Sequence, residues 1–287
     1  MIDLLRHFLL VADHGTFTAA ARHAHLSQPA LTSSVRRLEE SVGGSRLFDR
    51  GRQGAALTEA GRALLPHARA AVVAVDEGVR AIAALEKLEA GEVRIGGGST
   101  ACTYLLPPIL SVFRRKNPKV AIYLREMPEL QVVDTFEAGG LDLAVVTGAA
   151  GESFRDEDVI LVAPKGADPN ALPFITFPTG SAVRELLDRY FPSAEITMEL
   201  ASISSAKGSV RAGLGKMLVS KSAVRTDLEL GRLVEVPDSR TPIKRRLGLL
   251  HRGVERLSPA AAALRVLLLE NAPPRQRAST RGRKEKT

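Results

Sequence analysis

The sequence predicts an α/β chain in two parts. A small helical head closed by a β-hairpin is joined through a long helix to a larger body. Three observations carry this. Two short amphipathic segments between Thr16 and Leu38 flank a tight polar turn, and from Thr58 to Glu89 apolar residues recur at intervals of three and four. From Gly91 onward, strand-like and helix-like runs alternate. With 287 residues, 45% of them hydrophobic and 25% charged, the chain has material for two domains with real cores.

Met1–Asp13 reads as a first helix, with Leu4, Leu5, Phe8, Leu9, Val11 and Ala12 on a broad apolar face. Gly15 can take a positive φ and stop it. Thr16 or Thr18 caps a second helix, whose small inner face is Ala20, Ala21 and Ala24. Ser27 caps a third, and Pro29 is tolerated because it falls in the first turn. Leu31, Val35 and Leu38 then stand at i, i+4 and i+7 and face inward. Outside remain Ser27, Gln28, Pro29, Thr32, Ser33, Arg36 and Arg37: short hydrogen-bonding groups at the helix start, cations at its end. A helix lying in a DNA major groove needs that order, with polar groups at base edges and arginines on phosphates. The rival is an ordinary helical hairpin with a solvated face.

The third helix runs to Gly43–Gly44, and LFDRGRQGAALT then reads as a two-stranded wing around Gly51 and Gly54. Arg50 and Arg52 on this wing are placed for backbone phosphates or the minor groove. Thr58 caps the long helix, Glu59 sits in its first turn, and Leu64, Ala68, Ala71, Val75, Val79 and Ile82 form one stripe. Its mean interval is close to the coiled-coil period, which predicts pairing with a second copy of the chain. Pro66 argues for a helix start later than Thr58.

In the body, strands are expected at 92–96, 120–126, 141–146, 159–163, 174–177, 196–200, 216–220, 233–236 and 246–251. Helices are expected at 103–116, 129–138, 181–191, 204–212 and 259–271, which together predict a parallel-rich sheet with helices on both faces. In such sheets ligands bind at the carboxyl ends of strands. The first strand ends in Gly96–Gly97–Gly98–Ser99–Thr100, the third in Thr147–Gly148, and the later half offers Ser181 and Ser202–Ser204–Ser205. These turns are rich in hydroxyls and have no Lys or Arg beside them. That suits a small oxyanion or carboxylate held by neutral donors; the rival is ordinary helix caps.

The head resembles the amino-terminal winged helix-turn-helix of LysR-type transcriptional regulators. The matching residues are Phe8, Val11, GTFTAAA at 15–21, LSQPAL at 26–31, VRRLEESVG at 35–43, LFDR at 47–50 and LTEAG at 57–61. The likeness continues more weakly in YLLPPILSVFRRKNP at 104–118, GGLDLAVV at 139–146 and VRAGLGKMLVSKSAV at 210–224. It implies a DNA-binding domain over 1–58, a linker and dimerisation helix over 59–90, and a two-lobed effector-binding domain over 91–270 similar to periplasmic solute-binding proteins. The lobes would be joined by crossovers near Val162–Ala163 and Thr241–Ile243. It places a small-molecule effector of unknown identity on the turns above, so Ser99, Thr100, Thr147, Gly148 and Ser202 are its expected contacts. It also implies a homodimer or homotetramer on double-stranded DNA, and contact with RNA polymerase.

Composition sets the remaining bounds. Aromatics are 4% and Trp is absent, so no base-stacking platform is expected. A single cysteine, Cys102, excludes an internal disulfide framework and reads as a buried small residue. No apolar run approaches the ~18 residues of a membrane span, and MIDLLRHF lacks the pattern of a signal peptide, so a cytoplasmic protein without membrane partners is expected. The net charge of +8 lies mostly in 271–287, where six cations face only Glu285, a segment expected to be disordered. That segment either adds sequence-independent DNA affinity or keeps the chain soluble. No catalytic constellation is present. Ser99 lacks a nucleophile elbow, Gly213–Lys216 lacks the lead of a phosphate loop, and His23 and His25 have no third metal ligand. No cofactor or metal is expected. An enzyme with a helical cap and a non-specific DNA binder are the rival classes.

Overall fold

The computed structural model describes residues 1–51, 54–86 and 91–271. The first helix, α1 (Ile2–His14), ends at Gly15, whose φ of 67° lets its N–H reach the Val11 carbonyl. In α2 (Phe17–His23) the Thr16 hydroxyl accepts from the Ala19 N–H at 3.1 Å. The chain turns through His25 at φ 53° and enters α3 (Gln28–Ser41), capped by Ser27, which accepts from the Ala30 N–H at 3.3 Å. Phe8, Val11, Ala20, Leu31, Val35 and Leu38 close the head's core together with Leu47 and Phe48.

The wing pairs β1 (Phe48–Gly51) with β2 (Gly54–Leu57), Phe48 opposite Leu57 and Gly51 opposite Gly54. It is fastened to the turn after α1, where the Ala55 N–H donates to the Gly15 carbonyl at 2.8 Å. Gly54, at φ 127°, is required there, because a Cβ would lie 2.6 Å from that carbonyl oxygen.

Thr58 starts α4 (Glu59–Glu86), accepting from the Gly61 N–H at 3.0 Å and donating to the Arg46 carbonyl at 2.7 Å. The helix continues through Pro66, against the expected later start. Packing of Leu64, Leu65, Ala68 and Ala71 on the head's core offsets the proline's loss of a backbone bond. The expected pairing stripe is therefore divided. Ala68 is buried within its own head and cannot meet a second copy, and Leu64 and Ala71 lean on the same core. Val75, Val79 and Ile82 are 43%, 61% and 61% exposed.

The described residues form two compact units: the head with α4 and residues 134–141, and the rest of the body. The body begins with β3 (Glu92–Gly97), a π-helical turn (Ala101–Leu105), α5 (Leu106–Lys116), β4 (Ala121–Glu126), α6 (Glu129–Glu137) and β5 (Leu143–Thr147). The long β6 (Glu152–Pro164) follows, then β7 (Phe174–Thr176), α7 (Ala182–Tyr190), β8 (Ile196–Glu199), α8 (Ile203–Arg211) and β9 (Met217–Ser220). The chain closes with α9 (Lys221–Glu229), β10 (Leu233–Glu235), β11 (Ile243–Leu250) and α10 (Pro259–Glu270).

The main sheet runs β10-β6-β11-β5-β3-β4, with β9 also on β6. It is mixed rather than parallel-rich. The β3–β4 and β3–β5 pairs are parallel, whereas every pairing made by β6 and β11 is antiparallel. The difference arises because both chain crossovers are themselves strands. One core holds Val93, Ile95, Leu106, Phe113, Leu143 and Leu264; the other holds Val159–Ala163, Ile175, Leu187, Val210 and Met217. Each long strand supplies both, β6 through Phe154 and Val159, β11 through Leu247 and Ile243. The first crossover thus falls at Glu157, earlier than the expected Val162–Ala163, and the second at Arg245, its register partner. Helix α9, which carries a buried Asp227 on its inner face, has no uninterrupted apolar stripe and was not expected from the sequence.

The wing's seat on Gly15 yields a stability test. Gly54→Ala should destabilise the head by about 1–3 kcal/mol, seen as an earlier urea midpoint by circular dichroism. An unchanged midpoint would show that the wing can shift away without loss.

Candidate functional site

On α3 the buried stripe Leu31–Val35–Leu38 turns the opposite face outward. Ser27, Gln28, Pro29, Ser33, Arg36 and Arg37 are exposed there, and Thr32 is half-buried. Gln28 Nε2 lies 3.4 Å from Thr32 Oγ1, so the two polar groups at the helix start are aligned. A contact of 2.6 Å between His7 Nδ1 and Ser34 Oγ ties α3 to α1 from its other side. Arg50 belongs to β1, but its side chain, all of Arg52 and the basic segment 272–287 lie outside the described residues.

The second candidate site lies in the body, where β6 and β11 pass from one core to the other. Thr100, 8% exposed, places Oγ1 3.3 Å from Ser220 Oγ, and Arg245 Nη2 donates to that Ser220 oxygen at 2.7 Å. Ser220 comes from the second core and Thr100 from the first, so this hydroxyl pair closes the seam. Arg245 is also 8% exposed, and its buried Nε finds no hydrogen-bond partner among the described residues. Burial pushes its guanidinium below the usual arginine range, against the pull of the Glu157 and Glu129 carboxylates. Glu157, buried opposite it, accepts from Ser222 Oγ at 2.6 Å.

The other expected contacts are placed differently. Thr147 offers its N–H and its hydroxyl to the two carboxylate oxygens of Glu129, the hydroxyl at 2.9 Å. The Ser99 hydroxyl donates to Glu126, which Thr103 Oγ1 also approaches at 3.4 Å. The Gly148 N–H donates to the Arg246 carbonyl at 2.9 Å and is not free for a ligand. Ser202 is exposed and caps α8, accepting from the Ser205 N–H at 3.4 Å.

Contrary to the sequence expectation, the hydroxyls have a cation beside them. Arg245 and Ser220 were missed. The signal for Arg245 was the alternation of Ile243, Arg245 and Leu247 on one face of β11, with Lys244 and Arg246 on the other. A desolvated guanidinium with a free N–H, set among hydroxyls, is chemistry for holding an oxyanion.

Cys102 is 5% exposed, and its Sγ lies 3.3 and 3.4 Å from the Gly97 and Arg125 carbonyl oxygens, which share its one S–H donor. Burial, with the Glu126 carboxylate adding to it, pushes the thiol up to about 12.

A helix-turn-helix head with an exposed polar helix, followed by a two-core body with a polar seam, defines a class: DNA-binding regulators that answer to a small ligand. Residues 2–62 match the bacterial regulatory helix-turn-helix protein, lysR family, and residues 86–273 match the LysR substrate binding domain. The chain belongs to the LysR family of transcriptional regulators. A probable RuBisCO transcriptional regulator of Nostoc sp. (strain PCC 7120) is 33% identical, over 91% of this chain and 86% of the relative. ArgP of Mycobacterium tuberculosis shares the fold with a TM-score of 0.65 at 19% identity, covering 93% of this chain and 95% of that one. CbnR complexed with its target DNA aligns with a TM-score of 0.61 at 22% identity, covering 94% and 99%. The protein is thus a transcriptional regulator with a DNA-binding head and an effector-binding body, and not an enzyme. No helix among the described residues is long and apolar enough to cross a membrane.

The raised thiol gives a direct chemical expectation. At pH 8 Cys102 in the folded chain should react with iodoacetamide about a thousandfold more slowly than a free cysteine, because so little of it is thiolate. Mass spectrometry of the alkylated protein checks this; labelling at the free-cysteine rate would contradict the buried position.

Proposed function

We propose that the chain works in the cytoplasm as a homo-oligomer that reads a pseudo-palindromic duplex through α3 and is switched by a small anionic effector held at the body's seam. The observation that carries this is the division of α3 into a buried apolar stripe and an exposed face ordered from hydroxyl and amide to guanidinium. Ser27, Gln28, Pro29, Thr32 and Ser33 meet base edges and adjacent phosphates, and Arg36 and Arg37 take phosphates. Val75, Val79 and Ile82, large and exposed on α4, pair with a second copy and set two α3 helices a DNA turn apart.

In the body, Thr100, Ser220 and Arg245 hold the effector's oxyanion, with Thr147 as a further donor. Ser99, Gly148 and Ser202 shape the surrounding turns. The protein needs no cofactor, and it signals by contact with RNA polymerase once bound. Effector binding shifts the balance between arrangements of the two cores about the β6–β11 crossovers.

Selection from random duplex DNA at near-physiological salt tests the reading. A recovered site with two half-sites is the expected result; no enrichment would leave only sequence-independent binding. On the selected site, Gln28→Ala should lose about tenfold in discrimination at one base position. Arg36→Ala should weaken binding to all sequences and lower the salt slope by about one. An Arg36→Ala protein altered only in sequence preference would reverse these roles. Val79→Asp should lower the mass seen by analytical ultracentrifugation to that of a smaller assembly; an unchanged mass would remove this face from the interface.

A further inference from the structure

The contact between Glu129 and Thr147 has a chemical meaning that the effector reading alone does not supply. Thr147 ends β5 and offers two donors, its N–H and its hydroxyl, in one direction. Both are taken by the two oxygens of one carboxylate, which is the geometry of a bound carboxylate anion. That carboxylate belongs to the chain itself, at the first residue of α6. It also supplies part of the negative charge that faces Arg245.

We propose that Glu129 is a built-in occupant of the effector site, and that the effector binds by exchanging its own carboxylate, or an equivalent single oxyanion, for that of Glu129. The inference rests on the effector-site reading given above. The two carboxylates near the seam, Glu157 opposite Arg245 and Glu129 on Thr147, differ in freedom. Glu157 is 5% exposed and fixed by Ser222, whereas Glu129 is half-buried at a helix start and can turn out to water. The Thr147 N–H and hydroxyl hold Glu129 by two charge-assisted hydrogen bonds, so Glu129 stays until another anion takes those donors. Exchange of one negative charge for one keeps the site balanced. A neutral ligand bonds the two Thr147 donors less strongly than the carboxylate it would displace, and an anion added beside Glu129 meets a like charge. The ligand class is therefore a small molecule with a singly charged oxyanion head.

An occupant of this kind lowers apparent affinity by the fraction of time the site is free. The test uses the full chain, isothermal calorimetry and thermal shift, with acetate and pyruvate as carboxylate probes, inorganic phosphate as the second oxyanion, and acetamide as a neutral analogue of acetate. Glu129→Ala should bind the carboxylates about tenfold or more tightly than the unsubstituted chain, with no gain for acetamide. Glu129→Gln, which keeps the side-chain length, should gain in the same direction by less. Glu137→Ala, at the exposed far end of α6, controls for net charge and should gain nothing. A gain for phosphate alone would identify the exchanged anion as a phosphate rather than a carboxylate head.

Equal affinities in the unsubstituted and Glu129 variants, with binding lost in Arg245→Met, would overturn self-occupancy and leave the effector site standing. Oxyanion binding that ignores Arg245→Met would remove the site as well. Failure of both Glu129 variants to bind any oxyanion probe would overturn the exchange.

Discussion

The effector-binding body depends on a charge placed where two hydrophobic cores meet. Strands β6 and β11 each begin in one core and end in the other, and at the crossing they set Glu157 opposite Arg245. Neither core can bury these groups alone at acceptable cost, since an unpaired buried ion is destabilising by several kcal/mol. The seam must stay polar, and the hydroxyls of Thr100 and Ser220 line it for that reason. A polar seam between two apolar halves is also a place where the halves can shift without tearing either core.

The head solves a different problem, that of showing a polar helix to a large anionic partner while keeping a very small core. Caps do much of this work. Gly15, Thr16 and Ser27 each satisfy backbone groups at a helix end, and the Gly15 carbonyl then receives the wing through Ala55. One turn therefore stops α1, starts α2 and seats β2. The apolar faces of α1, α2, α3 and the start of α4 are used up in the core, so the outer face of α3 is left free to be polar.

Much of this was legible in the sequence because it is local. The caps, the i, i+4, i+7 stripe of α3 and the two glycines within the wing are written within a few residues of where they act. What escaped is non-local. The stripe on α4 carries no mark of what covers each part of it, and only the fold shows Ala68 turned to the head while Val79 stays exposed. Arg245 lies between the crossover expected at 241–243 and the strand expected at 246–251, and only pairing of β11 with β6 turns its face inward. Glu129 and Thr147 are eighteen residues apart, and nothing between them announces their contact. Hydroxyls at strand ends lead to the neighbourhood of the proposed site; the charges beside them come from elsewhere in the chain.

The central claim is that α3 carries the DNA contact and the body does not. Amide hydrogen exchange of the full chain, measured with and without a selected duplex, tests it most directly. The account predicts slower exchange at the starts of α2 and α3 on DNA binding, with the strands around the β6–β11 seam unchanged. Bound duplex that leaves those amides exchanging at their free rate, or that protects the seam instead, would contradict it.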